Sequence, residues 1–462
     1  MKIFTFDDLR NSHRKLTSIN GDVYDITDFI KNHPGGDIIS TSITRDATIL
    51  FESHHSLCDS KKIKNIMDKL KIGIIKDYKP IITFDTEFSR KLISRVKKYI
   101  GNREKRGSFY SNSAIITIYF LFLSFVFFMF YYNNYIIAIC LGIIISICHL
   151  LGHAGNHWSL SKSNIINKII SLTCTNLWGL REKNWEFSHL ISHHCYNYTD
   201  NDYIMEQHVP FKYFRIRECD KWKSIHKYQH LTYLTTPITS FFIGSIRLDC
   251  FPWIILNPIL SFLKNNKKSI FPAPQFFASS SNCDKNNILI NEDGVGPKNF
   301  YVNNTKYDDI ISIIMSNIIW APLFFYTWNK YNLLKAILLN SIVFGTQSSL
   351  ITNSLLTQHL CENIKLNNKY KVSDDWYIQQ IEGSTTINSS NIILWLTFVI
   401  SYQTEHHLFP SLDPLLIKEI QPIVKKTCEE FNVQYNYFSN KLDASKSVYK
   451  HFKNLSIDKN NN

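Results

Sequence analysis

The sequence lacks the features of a secreted, disulfide-stabilised protein. Its ten cysteines include no Cys-x-x-Cys pair and follow no regular spacing, which argues against a disulfide framework and against a thiolate zinc site. The start, MKIFTFDDLRNSHRK, has no basic segment followed by an apolar core, so no cleavable signal peptide is expected. Internal repeats are also absent. We therefore expect reduced, structural cysteines and a first domain that stays in the cytosol.

Long uncharged apolar runs, in contrast, are plentiful. Ser113 to Tyr132 spans twenty uncharged residues, and a helix needs about 20 residues to cross a hydrocarbon core of about 30 Å. The run from Tyr135 to Leu151 follows after two asparagines, which predicts a tight hairpin through a bilayer. A second hairpin is predicted from Ile310 to Trp328 and from Leu333 to Leu350. The pattern indicates an integral membrane protein with about four transmembrane helices in two hairpins.

The chain is basic, with a formal net charge of +13. The stretch directly before the first apolar run, SRKLISRVKKYIGNREKRG, is rich in lysine and arginine and belongs to residues 78–108, which we expect to form a basic linker. Such residues beside a span are typical of its cytoplasmic end, where they meet anionic lipid. Because the charge abuts a membrane segment, the expected partner is the lipid bilayer and not nucleic acid.

The patterning predicts a small α+β domain over residues 1–77, where β-type stretches such as LTSINGDVYDIT precede a Gly-Gly turn and short helical pieces. Residues 109–440 are expected to form an all-α polytopic membrane domain with additional cytosolic helices, one of them LLIKEIQPIVKKTCEEF, followed by a tail at 441–462. The apolar segment Leu231 to Leu263 is broken by charges and prolines, so we expect it to be interfacial. Residues 264–304 have the composition of a flexible insertion.

Histidines in the N-terminal domain follow short helical stretches. His33 lies in NHPGGD, where the glycines allow a turn close to a bulky neighbour, and His54 and His55 lie in RDATILFESHHS. Two histidines about twenty residues apart could bind a haem iron from both faces, which leaves electron transfer as the function. Solvated histidines beside a turn are the alternative.

The motifs VYDITDFIKNHPGG and RDATILFESHHS resemble the cytochrome b5 family, and the resemblance covers residues 1–75. It implies a domain that binds haem b through two histidines, with His33 as one axial ligand. For the other we choose His55, four residues after Phe51, as in relatives of this family that are fused to a second domain; His54 is the alternative. The tryptophan common near the start of this family is missing here.

Further histidines form clusters that the predicted topology brings to one side of the membrane. His149, His153 and His157 are spaced by four, so they share one face of a helix. The other clusters contain His189, His193 and His194, then His359, then Gln403, His406 and His407. With a cytosolic N-terminus, each hairpin returns its cluster to the cytosolic face.

Histidines gathered at four separated places on one face are hard to explain by packing alone. Neutral imidazoles bind iron, and eight of them could supply most of the coordination of two irons. Zinc is the alternative metal, although a catalytic zinc needs only three protein ligands. His149, one turn deeper than the cluster, and His208, alone in a loop, are expected to be structural.

The pattern HxxxH, HxxxHH and QxxHH between hairpins resembles the membrane fatty-acyl desaturases, and Gln403 in place of the usual first histidine resembles their front-end branch, which commonly carries an N-terminal cytochrome b5 domain. SIHKYQH and QTEHHLFPSL are also similar to this group. The resemblance implies two non-haem Fe ions and no catalytic residue apart from their ligands, which would be His153, His157, His189, His193, His194, His359, His406 and His407, with Gln403 as a weaker candidate. This chain has Ala154 where the first box normally has an acid, and Asp200 or Asp202 could supply the carboxylate instead.

The resemblance also implies a reaction and its partners. A front-end desaturase places a cis double bond between an existing one and the carboxyl end of an acyl-CoA or phospholipid acyl chain. It uses O2 and two electrons, which the fused haem domain would receive from an NADH-dependent cytochrome b5 reductase. The expected location is the endoplasmic reticulum, with the haem domain and the histidine boxes facing the cytosol. The stretches LFESHHS and HKYQH are most similar to delta-5 members.

Other functions fit parts of the same pattern. A delta-6 or delta-8 fatty acid desaturase and a sphingolipid long-chain-base desaturase share the architecture, and a lipid hydroxylase could use a similar polyhistidine site. A membrane-anchored electron carrier with an inactive second domain is the alternative from another class, and Ala154 is the feature that favours it.

Overall fold

The computed structural model describes most of the chain. The described residues are 2–80, 82–178, 185–197, 202, 214–218, 220–245, 311, 314–364, 373–390 and 400–457. The expected insertion at 264–304, His208 and Asp200 lie outside them, as do residues 246–263 of the segment expected at the membrane interface.

The N-terminal domain contains a four-stranded sheet. Its strands, in the order β1-β4-β3-β2, are β1 (Lys2–Phe4), β2 (Leu16–Ile19), β3 (Asp22–Asp25) and β4 (Lys71–Ile75). Asn20 and Gly21 join β2 to β3 and both have positive φ, 52° and 79°. An Asn-Gly pair favours this turn because the hairpin needs two residues in the left-handed region.

Short helices pack on this sheet and confirm the predicted α+β domain. They are α1 (Phe6–Asn11), α2 (Thr48–His55) and α3 (Ser60–Leu70), with 3₁₀ turns at Ile30–Asn32 and Gly36–Ser42. Leu9, Leu16 and Val23 form the centre of its apolar core.

The segment expected to be a basic linker contains an ordered helix, α4 (Glu87–Ile100). Thr86 caps its first turn, and Phe88, Leu92, Val96 and Ile100 recur every four residues, so one face is apolar and buried. That face packs against a later helix, Pro414–Glu430. The charged side chains of α4 lie on the other faces. The domain boundaries at 77 and 108 stay predictions.

The first predicted hairpin is present as α5 (Phe109–Tyr132) and α6 (Tyr135–Asn156), joined at Asn133 in a left-handed conformation. These two helices and α11 (Leu333–His359) are, within the described ranges, the three long and apolar enough to cross a membrane. The third predicted span, Ile310 to Trp328, overlaps α10 (Trp320–Lys330), which is only eleven residues long and follows a turn. The expected count of four spans is therefore approximate.

Shorter helices surround the long ones: α7 (Asn164–Trp178), α8 (Gln229–Leu234) and α9 (Thr236–Ser245). Helix α9 lies along α11, and a Cβ on Gly244 or Gly345 would collide with the opposing helix, so these glycines permit the close approach. Helices α5, α6, α7, α10 and α11 share one apolar core.

The C-terminal region forms a second helical layer beside the hairpins. Its elements are α12 (Trp376–Glu382), β5 (Thr386–Ile387), α13 (Gln403–Leu408), α14 (Pro414–Glu430), β6 (Tyr437–Phe438) and α15 (Lys441–Leu455). The amphipathic helix predicted from LLIKEIQPIVKKTCEEF is confirmed as α14. Residues 441–455 of the expected tail are helical and bury Ala444, Val448 and Phe452. The seven cysteines in the described part of the chain are free thiols.

Candidate metal centre and haem pocket

Four elements bring the predicted histidines together. His153 and His157 lie at the end of α6, His359 is the last residue of α11, and α13 carries Gln403, His406 and His407. The second box lies on a π-helix, Glu186–His193, that continues as α-helix to Tyr196. All eight histidines and Gln403 are buried.

The eight histidines separate into two adjoining groups. The five-histidine group contains His153, His157, His189, His194 and His406, and the three-histidine group contains His193, His359 and His407. Within each group, one potential ligand atom from every histidine lies within 4.8 Å of the others. The two groups touch where the ring of His194 stacks on that of His407, with centroids 4.3 Å apart.

The π-helix explains why neighbouring histidines enter different groups. In an α-helix, His189 and His193 would share a face, because they are four residues apart. Here the amide of His194 donates to the carbonyl of His189, five residues back, so His189 and His194 point to the same group and His193 to the other. π-helical turns inside helices are often found at functional sites. Sequence spacing alone did not predict this division.

The spacing of the imidazole nitrogens fits metal binding. Nε2 of His189 lies 2.8 Å from Nε2 of His153 and 3.0 Å from Nε2 of His194. Two nitrogens on one octahedral metal, each about 2.1 Å from it, lie about 3 Å apart. Both nitrogens of His157 and Nε2 of His406 are buried and have no hydrogen-bond partner among the described residues. Such orphaned nitrogens are costly unless a metal takes a lone pair.

The three-histidine group is held by hydrogen bonds behind each ring. Nδ1–H of His193 donates to Asp202 at 2.9 Å, that of His407 to the amide oxygen of Gln380 at 2.8 Å, and that of His359 to the Gly383 carbonyl at 3.3 Å. These bonds orient the three rings so that each Nε2 faces the centre of the group. Asp202, one of the two aspartates that the sequence suggested as a carboxylate partner, thus orients a histidine of this group. Gln380 was not predicted, because a single glutamine in a helix is not a recognisable motif.

Gln403 lies at the centre of the three-histidine group. Its amide nitrogen is 3.1 Å from Nε2 of His359 and 3.1 Å from Nε2 of His407, and its buried Oε1 has no partner in the described part of the chain. Rotating the side-chain amide by 180° exchanges its nitrogen and oxygen, so that Oε1 faces Nε2 of His359 and of His407. The residues therefore fit a metal with three imidazoles and one amide oxygen.

Ala154 lies apart from this polar chemistry. It is almost completely buried in the apolar core of the membrane helices, and its carbonyl accepts a hydrogen bond from Ser159 at 2.9 Å. The five-histidine group therefore receives no carboxylate from this position of the first box.

Burial disfavours the protonated form of several clustered imidazoles. Burial first, and then the neighbouring histidines, hold the pKa of His157, His189, His194 and His407 well below the usual range. The pKa of His406 is lowered to about 3, again chiefly by burial. Neutral imidazoles keep the lone pairs that a metal requires.

The N-terminal domain contains a cavity of about 620 Å³ that both predicted haem ligands line. The ring centroids of His33 and His55 lie 6.1 Å apart, and two metal–nitrogen bonds of about 2 Å each, extended to the ring centres, need roughly this separation. Their Nδ1 atoms donate to the carbonyls of Gly36 and Phe51 at 3.1 and 2.8 Å, which leaves each Nε2 for the iron. The residues thus fit a haem with two axial imidazoles.

His54 occupies another part of the same cavity wall. Its Nδ1 lies 3.0 Å from the Leu50 carbonyl, and burial lowers its pKa to about 4. His157 of the five-histidine group also lines the cavity. The space between His33 and His55 therefore extends to the metal-binding region.

Apolar and polar contacts hold the two domains together at this point. Ile38 and Leu50 pack against the cluster of Trp185, Leu190 and Ile191, and the amide of Asn164 donates to the Pro34 carbonyl at 2.9 Å. These contacts join residues far apart in sequence, so the sequence pattern did not predict them.

Comparisons with known proteins agree with this site. Residues 131–439 match the family described as fatty acid desaturase, and residues 5–76 match the cytochrome b5-like heme/steroid binding domain. The chain belongs to the fatty acid desaturase family and carries an N-terminal cytochrome b5 domain. It is thus an oxidoreductase that acts on acyl lipid in a membrane, with haem, two irons and O2 as the cofactors and co-substrate that these families and the histidine groups imply.

Similar proteins include several desaturases with named positions. The chain is 26% identical to the "Probable Delta(5) fatty acid desaturase C" and 25% identical to the Delta(5) fatty acid desaturase A, both of Dictyostelium discoideum. Each alignment covers 87% of the relative, and they cover 91% and 92% of this chain. Delta(8)-fatty-acid desaturase 1 of Arabidopsis thaliana is 22% identical over 95% of this chain and 90% of that protein.

Proposed function

We propose that this chain is a front-end fatty acyl desaturase that forms a cis double bond at the delta-5 position of an unsaturated acyl chain. The observation that carries the proposal is the pair of adjoining, buried histidine groups, reached from the haem cavity of the same chain. The names of two similar Dictyostelium proteins support the delta-5 position. A delta-8 product is the second candidate, because delta-8 relatives also align over most of the chain.

The proposed ligands follow the two groups. One iron is assigned to the five-histidine group and the other to the three-histidine group, with Gln403 completing the latter through its amide oxygen. When bound, the irons supply the O2-dependent oxidation of an unactivated methylene pair, which no side chain can perform. The protein buries the imidazoles, orients those of the three-histidine group through Asp202, Gln380 and Gly383, and keeps the site away from bulk water.

For electron delivery we propose His33 and His55 as haem ligands and His54 as the residue between haem and metal site. The cavity is lined by all three and by His157. An electron leaving the haem would thus reach the five-histidine group without crossing solvent. The external donor is proposed to be an NADH-dependent cytochrome b5 reductase.

The proposed location is the endoplasmic reticulum, with the haem domain and the histidine groups on the cytosolic side. The basic residues ahead of α5 support this orientation, because such residues favour the cytoplasmic end of a span. The acyl carrier is proposed to be coenzyme A or a phospholipid.

The test is the fatty-acid profile of a host that lacks polyunsaturated desaturation, fed candidate acids one at a time. Cells expressing the intact chain should gain a double bond at carbon 5, and cells expressing His406→Ala should not. A bond at carbon 8 would replace the delta-5 assignment. An unchanged profile for every acid, from protein that is membrane-inserted and shows a haem spectrum, would contradict the desaturase proposal.

A further inference from the structure

Cations from three segments line the haem cavity. In the described part of the chain they are Lys62, Arg103, Lys105, Arg106 and Lys162. Two of them have carboxylate partners: Arg103 lies 2.6 Å from Glu419, and Lys162 lies 2.8 Å from Glu104. Lys62 is exposed, so water satisfies its charge.

Arg106 differs from these because its guanidinium is half-buried and no salt bridge to it is found among the described residues. Its guanidinium donates to the Trp158 carbonyl at 3.3 Å, and no carboxylate of the described residues pairs with it. Burial lowers its pKa from the ordinary arginine value. A buried charge without an opposite charge is unfavourable, so the position calls for an anion.

The location of Arg106 indicates which anion could reach it. Arg106 lines the same cavity as His33, so the guanidinium lies on the wall of the proposed haem site. Haem carries propionate groups at one edge of its ring. A planar guanidinium matches the geometry of a carboxylate and can bind it with two parallel hydrogen bonds.

We propose that Arg106 binds a haem propionate and so ties the haem to the segment that connects the two domains. The proposal rests on haem occupying the cavity between His33 and His55, as proposed above. Lys105 strengthens the connection, because its ammonium donates to the carbonyl of Leu57, two residues after His55. Arg106 in turn contacts Trp158 of the membrane domain. The haem thus becomes part of the interface between the domains.

The test uses the full chain in detergent, stripped of haem and reconstituted with haem or with haem dimethyl ester, whose propionates carry no charge. Arg106→Gln should release haem to apomyoglobin severalfold faster than the parent chain. Its haem midpoint potential should also fall, because a positive charge that stabilised the ferrous state has been lost. Both proteins should release the dimethyl ester at the same rate.

Two further variants separate this role from others. Lys162→Gln removes a cation of the same cavity that already has a partner, and should change haem release little. Arg106→Lys keeps the charge and should recover part of the retention, even if the glutamine variant folds poorly. Equal acceleration of haem and ester release would assign Arg106 to packing on Trp158 and overturn the proposal, as would unchanged haem release. A chain that takes up no haem with two axial histidines would instead contradict the haem site itself.

Discussion

At the scale of single residues, the bond between Asp202 and His193 carries a testable consequence. Asp202→Asn keeps the shape but removes the charge that fixes the ring and strengthens its basicity. Loss of such a partner typically costs about 10–100-fold in metal affinity or activity. We expect lower iron content per purified chain and a similar loss of desaturation. Asp443→Asn, at an exposed helix start, is the control; equal iron in both variants would contradict the role of Asp202.

The adjacent histidines of α2 are predicted to differ in function. His55→Leu should abolish the absorption spectrum of haem with two axial histidines, because it removes a proposed ligand. His54→Leu should keep that spectrum but slow the reoxidation of reduced haem by the metal site, followed by stopped-flow absorbance. The opposite pattern of spectra would make His54 the ligand. His13→Leu, on the exposed surface, should change neither.

Residue identity was the part of the site most accessible from the sequence. The histidine boxes predicted which side chains would meet, because the hairpins return them to one place. The division into a five-histidine and a three-histidine group depends on the π-helix, which cannot be recognised from the spacing of the histidines. The role of Gln380 was not predictable either, because it depends on a hydrogen bond to His407, 27 residues later in the sequence.

At the scale of elements, α4 is predicted to hold the C-terminal layer in place. Leu92 is fully buried against α14, so Leu92→Ala should lower the free energy of unfolding by about 2–5 kcal/mol. Thermal unfolding in detergent measures the change. Lys97→Ala, on the exposed face, should cost little. Equal stability of both variants would show that α4 is only a tether, as its basic composition suggested.

Helix α15 should be sensitive to acid. His451 is buried, its Nε2–H donates to the Ile216 carbonyl at 3.0 Å, and burial lowers its pKa to about 4 from an unfolded value near 6.5. The unfolded chain therefore binds more protons between these values, so the contribution to stability is present above about pH 6.5 and is lost as the pH falls toward 4.

The pH dependence can be isolated with a residue that does not titrate. Amide hydrogen exchange of α15 should accelerate between about pH 6.5 and 4 in the parent chain, after correction for intrinsic exchange. His451→Gln keeps a donor for Ile216 and should flatten this dependence. An identical profile in the variant would assign the acid sensitivity to other groups.

At the scale of the whole molecule, the docked haem domain should make free cytochrome b5 superfluous. Ile38 and Leu50 already occupy the surface around Trp185, and a tethered domain has an effective concentration in the millimolar range. Adding free cytochrome b5 should therefore leave the reductase-driven rate per enzyme unchanged. A saturable rise with added cytochrome would show that the docked arrangement is not the one that transfers electrons.

The architecture of the whole chain was predictable in part. Apolar runs predicted the α5–α6 hairpin, and the β-type stretch and the Gly-Gly turn predicted a small α+β domain. The docking of that domain was not predictable, because it depends on single apolar side chains, such as Ile38 and Leu50, whose partners lie over a hundred residues away. The helix in the linker was not predicted for a similar reason, because its buried face can be recognised only from its packing against α14.

The cavity lined by His33, His55 and His157 also limits how electrons are supplied during turnover. A haem between His33 and His55 can hold a single electron at a time, whereas each double bond needs two. The haem must be refilled in the middle of every cycle while its inner side stays docked. The proposed reductase would then approach from the outer side and deliver an electron twice per product, so a scarce reductase would leave the enzyme with only one of the two electrons that it needs.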